Sequence, residues 1–165
     1  MSASQRLREL GERLPRVAAP AGAYVPAVRS GALVFTAGQL PIVDGQLVTT
    51  GKVGAEVEVD HAVELARRCA LNALAAIDTL VGLDSVTRVV KVTGFVASAP
   101  GFGQQPAVLD GASALFGTVF GADGAHARSA VGVAELPKNA PVEVEVVVEV
   151  STADAATAVT PGVSP

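Results

Sequence analysis

The chain has 165 residues, half of them hydrophobic, with 17% charged, 4% aromatic and a net charge of −4 at pH 7. That length makes one domain with a core of its own, built from Val, Ala and Leu rather than aromatic rings. The acidic balance excludes the clustered Lys and Arg that a nucleic-acid surface needs, and the single cysteine, Cys69, excludes an intrachain disulfide or a multi-cysteine metal site.

The start, MSASQRLRELGERL, is charged and amphipathic and has no apolar h-region, so no signal peptide is expected. No apolar run reaches the roughly 20 residues that span a bilayer, and the expected location is cytoplasmic, without membrane contact. A chain this apolar also anticipates surface hidden in an oligomer interface.

In chain order, Leu7, Leu10 and Leu14 give residues 4–14 a helical spacing, and 1–14 is taken as an N-terminal helical segment. PRVAAPAGAYVP, residues 15–26, is too rich in Pro, Ala and Gly for a regular element, and 15–23 connects the helix to the body of the domain. Two short β-runs, 27–29 and 32–37, flank a Ser30-Gly31 turn, and Asp44-Gly45 marks a second hairpin. VDHAVELARRCALNALAAIDTLVGL predicts a helix over 60–81, with Asp60 as N-cap and Gly82 as stop. A β-branched run comes next at 85–98, then a helix over about 105–120, then strands at 128–136 and 142–150 joined by LPKNAP. The pattern gives an α+β fold, one domain over 1–150 with two helices layered on one face of a mixed sheet. Residues 151–165 read as a flexible tail.

The last strand, VEVEVVVEV, places Val142, Val144, Val146, Val148 and Val150 on one face and Glu143, Glu145 and Glu149 on the other. A valine face on the core and a solvated acidic face is the ordinary reading. Arg128 is harder to place, because a permanently charged guanidinium heads an otherwise apolar strand and needs either solvent or an anion. The short LPKNAP link predicts that 128–136 and 142–150 pair as a hairpin. Glu143 then lies toward the turn, more than about 15 Å from Arg128 in one chain.

Other candidates are weaker. His61 and His126 have no second metal ligand at a usable spacing, and Cys69 falls on an apolar helix face as a buried side chain. Ser129 stands beside Arg128, but there is no GxSxG and no assignable His-Asp pair. TAGQLP offers Gly38 as a backbone approach for a ligand, or as a turn glycine. Tyr24, the only tyrosine, is either a pocket wall or a plug over the core.

Taken together, Tyr24-Val25-Pro26, LVFTAGQLP, VVKVTGFV, HARSAVGVAELP and PVEVEVVV resemble, in the right order from Tyr24 to Val150, the RidA (YjgF) family. The ARSAV…LPKxAxVEVE block is the most specific part, while TTGKVG, VTGFVASAP and DGAS resemble a longer bacterial branch of the family. The resemblance implies a chorismate-mutase-like α+β fold, assembled as a homotrimer with sheets inward and three clefts between subunits. It implies cofactor-free hydrolysis of 2-imino or enamino acids to 2-oxo acids and ammonia. In that setting Arg128 matches the arginine that grips the substrate carboxylate and Glu143 the glutamate that orients water. Tyr24 matches the cleft tyrosine, Gly38 the glycine whose backbone approaches the ligand, and Ala130 supplies a second water-holding carbonyl.

Three positions depart from the family pattern. Ala37 replaces a frequent serine, Ala130 a frequent cysteine, and Asp110 falls near a cleft asparagine, where a carboxylate would oppose an anionic substrate. The alternative reading is therefore a non-catalytic trimeric module that binds a small carboxylate. The ribonuclease label that travels with the family is disfavoured by the acidic balance. The N-terminal helix covers either the outer face or a cleft mouth.

Overall fold

The computed structural model describes residues 1–17 and 22–151, so the expected tail falls, after Ser151, outside the described residues. Helix α1, Ala3–Glu9, begins with a reciprocal cap in which the Ser2 hydroxyl accepts from the Gln5 backbone and the Gln5 side chain accepts from the Ser2 backbone. It stops well before Leu14. Gly11 adopts φ +72, its N–H bonds the Arg8 carbonyl, and Glu12 N–H bonds the Leu7 carbonyl, the paired closure that ends helices at a left-handed glycine. Leu7 is buried, Ser4 donates twice to Asp84, and Arg6 reaches the Val119 carbonyl, so α1 is seated on the helix layer.

Strands β1, Ala27–Ser30, and β2, Leu33–Thr36, pair antiparallel with Ser30 opposite Leu33. The turn is Gly31-Ala32, one residue later than expected, because Gly31 takes φ +61. A separate ribbon, β3 (Ile42–Val43) and β4 (Gln46–Leu47), turns through Asp44 and Gly45, both at positive φ as a two-residue hairpin loop requires. Helix α2, Val59–Val81, has Glu58 rather than Asp60 at its N-cap, and Gly82 ends it as expected.

Strand β5, Val86–Ala97, helix α3, Gln105–Phe120, strand β6, Ala127–Val133, and strand β7, Val142–Val150, complete the chain. The five long strands form one mixed sheet in the order β1-β2-β7-β5-β6. The expected β6–β7 hairpin is absent: β5 lies between them, parallel to β6 and antiparallel to β7. β5–α3–β6 is instead a crossover unit, since parallel neighbours need an intervening element to carry the chain back. The link from β6 to β7 passes over the end of β5, where Ser98 N–H bonds the Val133 carbonyl and Ala97 N–H bonds the Pro141 carbonyl.

Helices α2 and α3 pack on one sheet face against the five buried valines of β7, together with Val89, Val92 and Val96 of β5. Burying each such side chain contributes about 1.5–3 kcal/mol. No described helix covers the other face, where Val28, Phe35 and Val131 are exposed.

Candidate functional site

Arg128 lies opposite Val92, a core valine, so its side chain projects toward the helix face of the sheet. Because β6 is an edge strand, the guanidinium turns around the sheet margin onto α3. There Nη1 donates to Asp110 Oδ1 at 2.8 Å and to Ser113 Oγ at 3.0 Å. Asp110 and Ser113, three residues apart, share that face of the helix. Ser113 Oγ also contacts His126 Nε2 at 3.0 Å, and His126 Nδ1 lies 2.7 Å from the Gly124 carbonyl oxygen. The Asp110 carboxylate is 68% exposed and the Arg128 side chain 25%, so this ion pair by itself is a weak tether.

Glu143 is built differently. It lies opposite Phe95, and since Val142 and Val144 point into the core, its carboxylate stands on the uncovered face. A Cβ built on Gly38 would overlap that carboxylate, so a glycine is needed there to leave room for it. Burial pushes the Glu143 carboxyl above its ordinary range, and the neighbouring Glu145 charge adds to the effect. Elsewhere the open face carries Val28, Phe35 and Val131, with Lys91 donating to Ser129 Oγ at 2.7 Å. Ser129 therefore sits on the opposite sheet face from Arg128 and is already partnered.

The six residues marked in the sequence thus form two groups. Gly38 and Glu143 meet on the open face. Tyr24 stands at the same end of the β1–β2 hairpin, since the Pro26 carbonyl accepts from Ala37 N–H. Arg128 meets Asp110 on the helix face, and Ala130, two residues along β6, packs against the core on that side. One chain does not join the groups. Arg128 and Glu143 are two strands and three residues apart on opposite faces, roughly 14 Å between Cα atoms at ordinary strand spacing.

Sequence reasoning misses Ser113 and treats His126 as structural. The available signal is the i, i+3 spacing of Asp110 and Ser113 on one helix face. Cys69 is buried, and burial, followed by the Glu143 charge, holds its thiol well above the ordinary range, so it has no thiolate character. Among the described residues no cluster of three or more metal-ligating side chains occurs, and no helix is long and apolar enough to cross a membrane.

The family model described as Endoribonuclease L-PSP matches residues 15–150. The chain belongs to the RidA family. Within it, the chain is 46% identical over 147 residues to Protein TCP17 of Trypanosoma cruzi, covering 88% of this chain and 92% of that protein. It is 34% identical over 134 residues to the 2-iminobutanoate/2-iminopropanoate deaminase of Dermatophagoides farinae, covering 81% and 91%. The solved structure of Atu1372 from Agrobacterium tumefaciens, a protein of unknown function, superposes with a TM-score of 0.82 at 44% identity, covering 90% and 92%. The mixed α+β fold is thus that of the RidA family, and curated relatives at lower identity are named as deaminases.

Proposed function

We propose that this RidA-family protein is a cofactor-independent hydrolase of small 2-imino or enamino acids, working in clefts between three copies of the chain. The observation that carries this reading is Glu143, a half-buried carboxylate with a raised pKa, beside Gly38 on a sheet face that no described helix covers. A carboxylate made more basic by a desolvated setting is suited to activating water. A second copy laid on the open face brings an Arg128 from its own edge strand toward that carboxylate and accounts for their separation within one chain.

The reaction needs little else. A protonated imine is electrophilic at carbon, and Arg128 holds the adjacent carboxylate by charge-assisted hydrogen bonds. Glu143 and the Ala130 carbonyl orient one water. As the water oxygen bonds to the imine carbon, Glu143 accepts a water proton. It then returns that proton to the amino nitrogen and takes the hydroxyl proton as the carbon–nitrogen bond breaks, so that a 2-oxo acid forms and the departing ammonia carries the last proton away as ammonium. Tyr24 supplies a wall of the cleft.

The second reading is a binding module for a small carboxylate, in which Arg128 grips the ligand and Glu143 only hydrogen-bonds it. One experiment separates the two. An amino-acid oxidase generates 2-iminopropionate or 2-iminobutyrate in situ, and semicarbazide trapping tracks the lifetime of the imine. The deaminase shortens that lifetime. Arg128→Ala and Glu143→Gln are each expected to lower kcat/KM by at least about 100-fold, a range consistent with losing a charged substrate contact or a general base. No acceleration by a folded wild-type protein would leave the binding module in its place.

A further inference from the structure

Arg128 meets α3 through one nitrogen only: Nη1 donates to Asp110 and to Ser113, while Nη2 and Nε donate to no described residue. Behind it, the chemistry of the groups fixes the direction of the hydrogen bonds at both ends, at the Gly124 carbonyl and at the guanidinium. The Gly124 carbonyl oxygen can only accept, so the His126 nitrogen 2.7 Å away, Nδ1, carries the proton. A neutral imidazole protonated there has a lone pair on Nε2, which accepts from the Ser113 hydroxyl at 3.0 Å. With its one proton directed to His126, Ser113 Oγ turns lone pairs toward Arg128 Nη1 at 3.0 Å, and a guanidinium can only donate. Asp110 Oδ1 takes the other Nη1 hydrogen at 2.8 Å. The His126 ring is held edge-on against Phe116, with centroids 5.8 Å apart and planes at 87°.

We infer that Ser113 and His126 are positioning residues for Arg128, committing Nη1 to α3 so that the Nε/Nη2 edge is the one offered to a carboxylate. That edge carries two parallel N–H bonds and matches a carboxylate bidentately. The exposed Asp110 pair cannot fix the orientation alone, whereas the half-buried Ser113–His126 limb anchors it to the backbone at Gly124. His126 acts only through Ser113. The inference rests on the reading that Arg128 binds the ligand carboxylate.

The test uses the full chain and the variants Ser113→Ala, Ser113→Thr and His126→Phe, the last keeping a ring against Phe116. Imine hydrolysis gives KM and kcat, and calorimetry gives Kd for 2-oxobutyrate, which carries the carboxylate but does not react. Loss of one orienting hydrogen bond is expected to raise KM and Kd about tenfold in Ser113→Ala and His126→Phe, with kcat within about twofold. Ser113→Thr, which keeps the hydroxyl, stays near wild type. Nitrogen NMR is expected to show His126 protonated on Nδ1. Unchanged KM and Kd in Ser113→Ala, a threonine variant as weak as the alanine, or an Nε2-protonated His126 would overturn the inference. A wild type that hydrolyses no imine yet binds 2-oxobutyrate through Arg128 removes the deaminase reading alone, and Kd still decides the positioning role. A wild type that does not bind the oxo acid overturns both.

Discussion

At the scale of single residues, Glu143 is a costly choice. A carboxylate half-buried on a sheet face, with Glu145 on the same strand face and no described donor, is harder to ionise folded than unfolded. Its folded pKa is therefore above its unfolded value. The protonated form is favoured by folding, and stability is lost as pH rises from the unfolded pKa through the folded one. Glu143→Gln removes that cost, so the variant is expected to melt above wild type at pH 7.5. The difference should shrink as pH falls below about 4, where the unfolded carboxyl is also protonated. Calorimetric scans across this range check the sign, and a variant that melts lower at pH 7.5 would show that the carboxylate is stabilised by partners supplied elsewhere. A carboxylate placed at a cost to the fold is a candidate for function, and here the sequence is informative. The alternation of VEVEVVVEV places Glu143 off the core, because a period of two leaves no other choice once the valines are buried. The partner of Arg128 is not legible in the same way, because only packing decides which helix residue an edge-strand arginine will reach.

At the scale of elements, the helix layer is held close by glycine. A Cβ on Gly111 would overlap the Val63 backbone carbonyl, so α3 crosses α2 at a distance that only glycine permits. Backbone cannot yield as a side-chain tip can. Gly111→Ala is expected to destabilise by about 2–3 kcal/mol, at the upper end of overpacking costs. Because Asp110 is adjacent, carboxylate binding by Arg128 should weaken as well. Chemical denaturation measures the first effect, and a variant within about 0.5 kcal/mol of wild type would mean that the helices separate freely. The bounds of α3 and β7 are readable because α3 ends at Gly121 and the alternation of β7 starts at a proline-flanked link. The leucine spacing makes α1 too long, since it continues past Gly11, where backbone closure stops the helix. The expected β6–β7 pairing fails for a different reason. A short link favours adjacent strands, but β5 is twelve residues long, its buried positions serve the helix layer, and its two backbone edges are satisfied by β6 and β7 at once. Which strand inserts between two others is a long-range outcome, invisible in any local pattern.

At the scale of the whole molecule, the two faces of the sheet are unequal. One is sealed by α2 and α3. The other presents Phe35 at 39% exposure beside Val28 at 54%, with Val131 at 43% beyond Glu143 on the far side of the sheet. Exposed apolar side chains on an uncovered sheet face fit a surface that associates. On the proposed reading, three copies cover one another here, and the site exists only in the assembly. A charge at the centre of such an interface leaves an unpaired ion when the copies meet, which costs several kcal/mol at each contact. Phe35→Glu is therefore expected to convert a species of three times 16.5 kDa into one of 16.5 kDa in light scattering. Far-UV circular dichroism should stay unchanged, because Phe35 contributes little to the buried core. Imine hydrolysis should fall with the mass, by at least about 100-fold, since Arg128 and Glu143 of one chain are too far apart to share a substrate. Leu80→Glu is the control: Leu80 is comparably exposed, at 44%, but sits on the helix layer, and the substitution should change neither mass nor rate. If Phe35→Glu yields a monomer with full activity, the site is complete in one chain and the cleft reading fails. If it stays trimeric, the copies meet through some other face, and the open sheet must serve another partner.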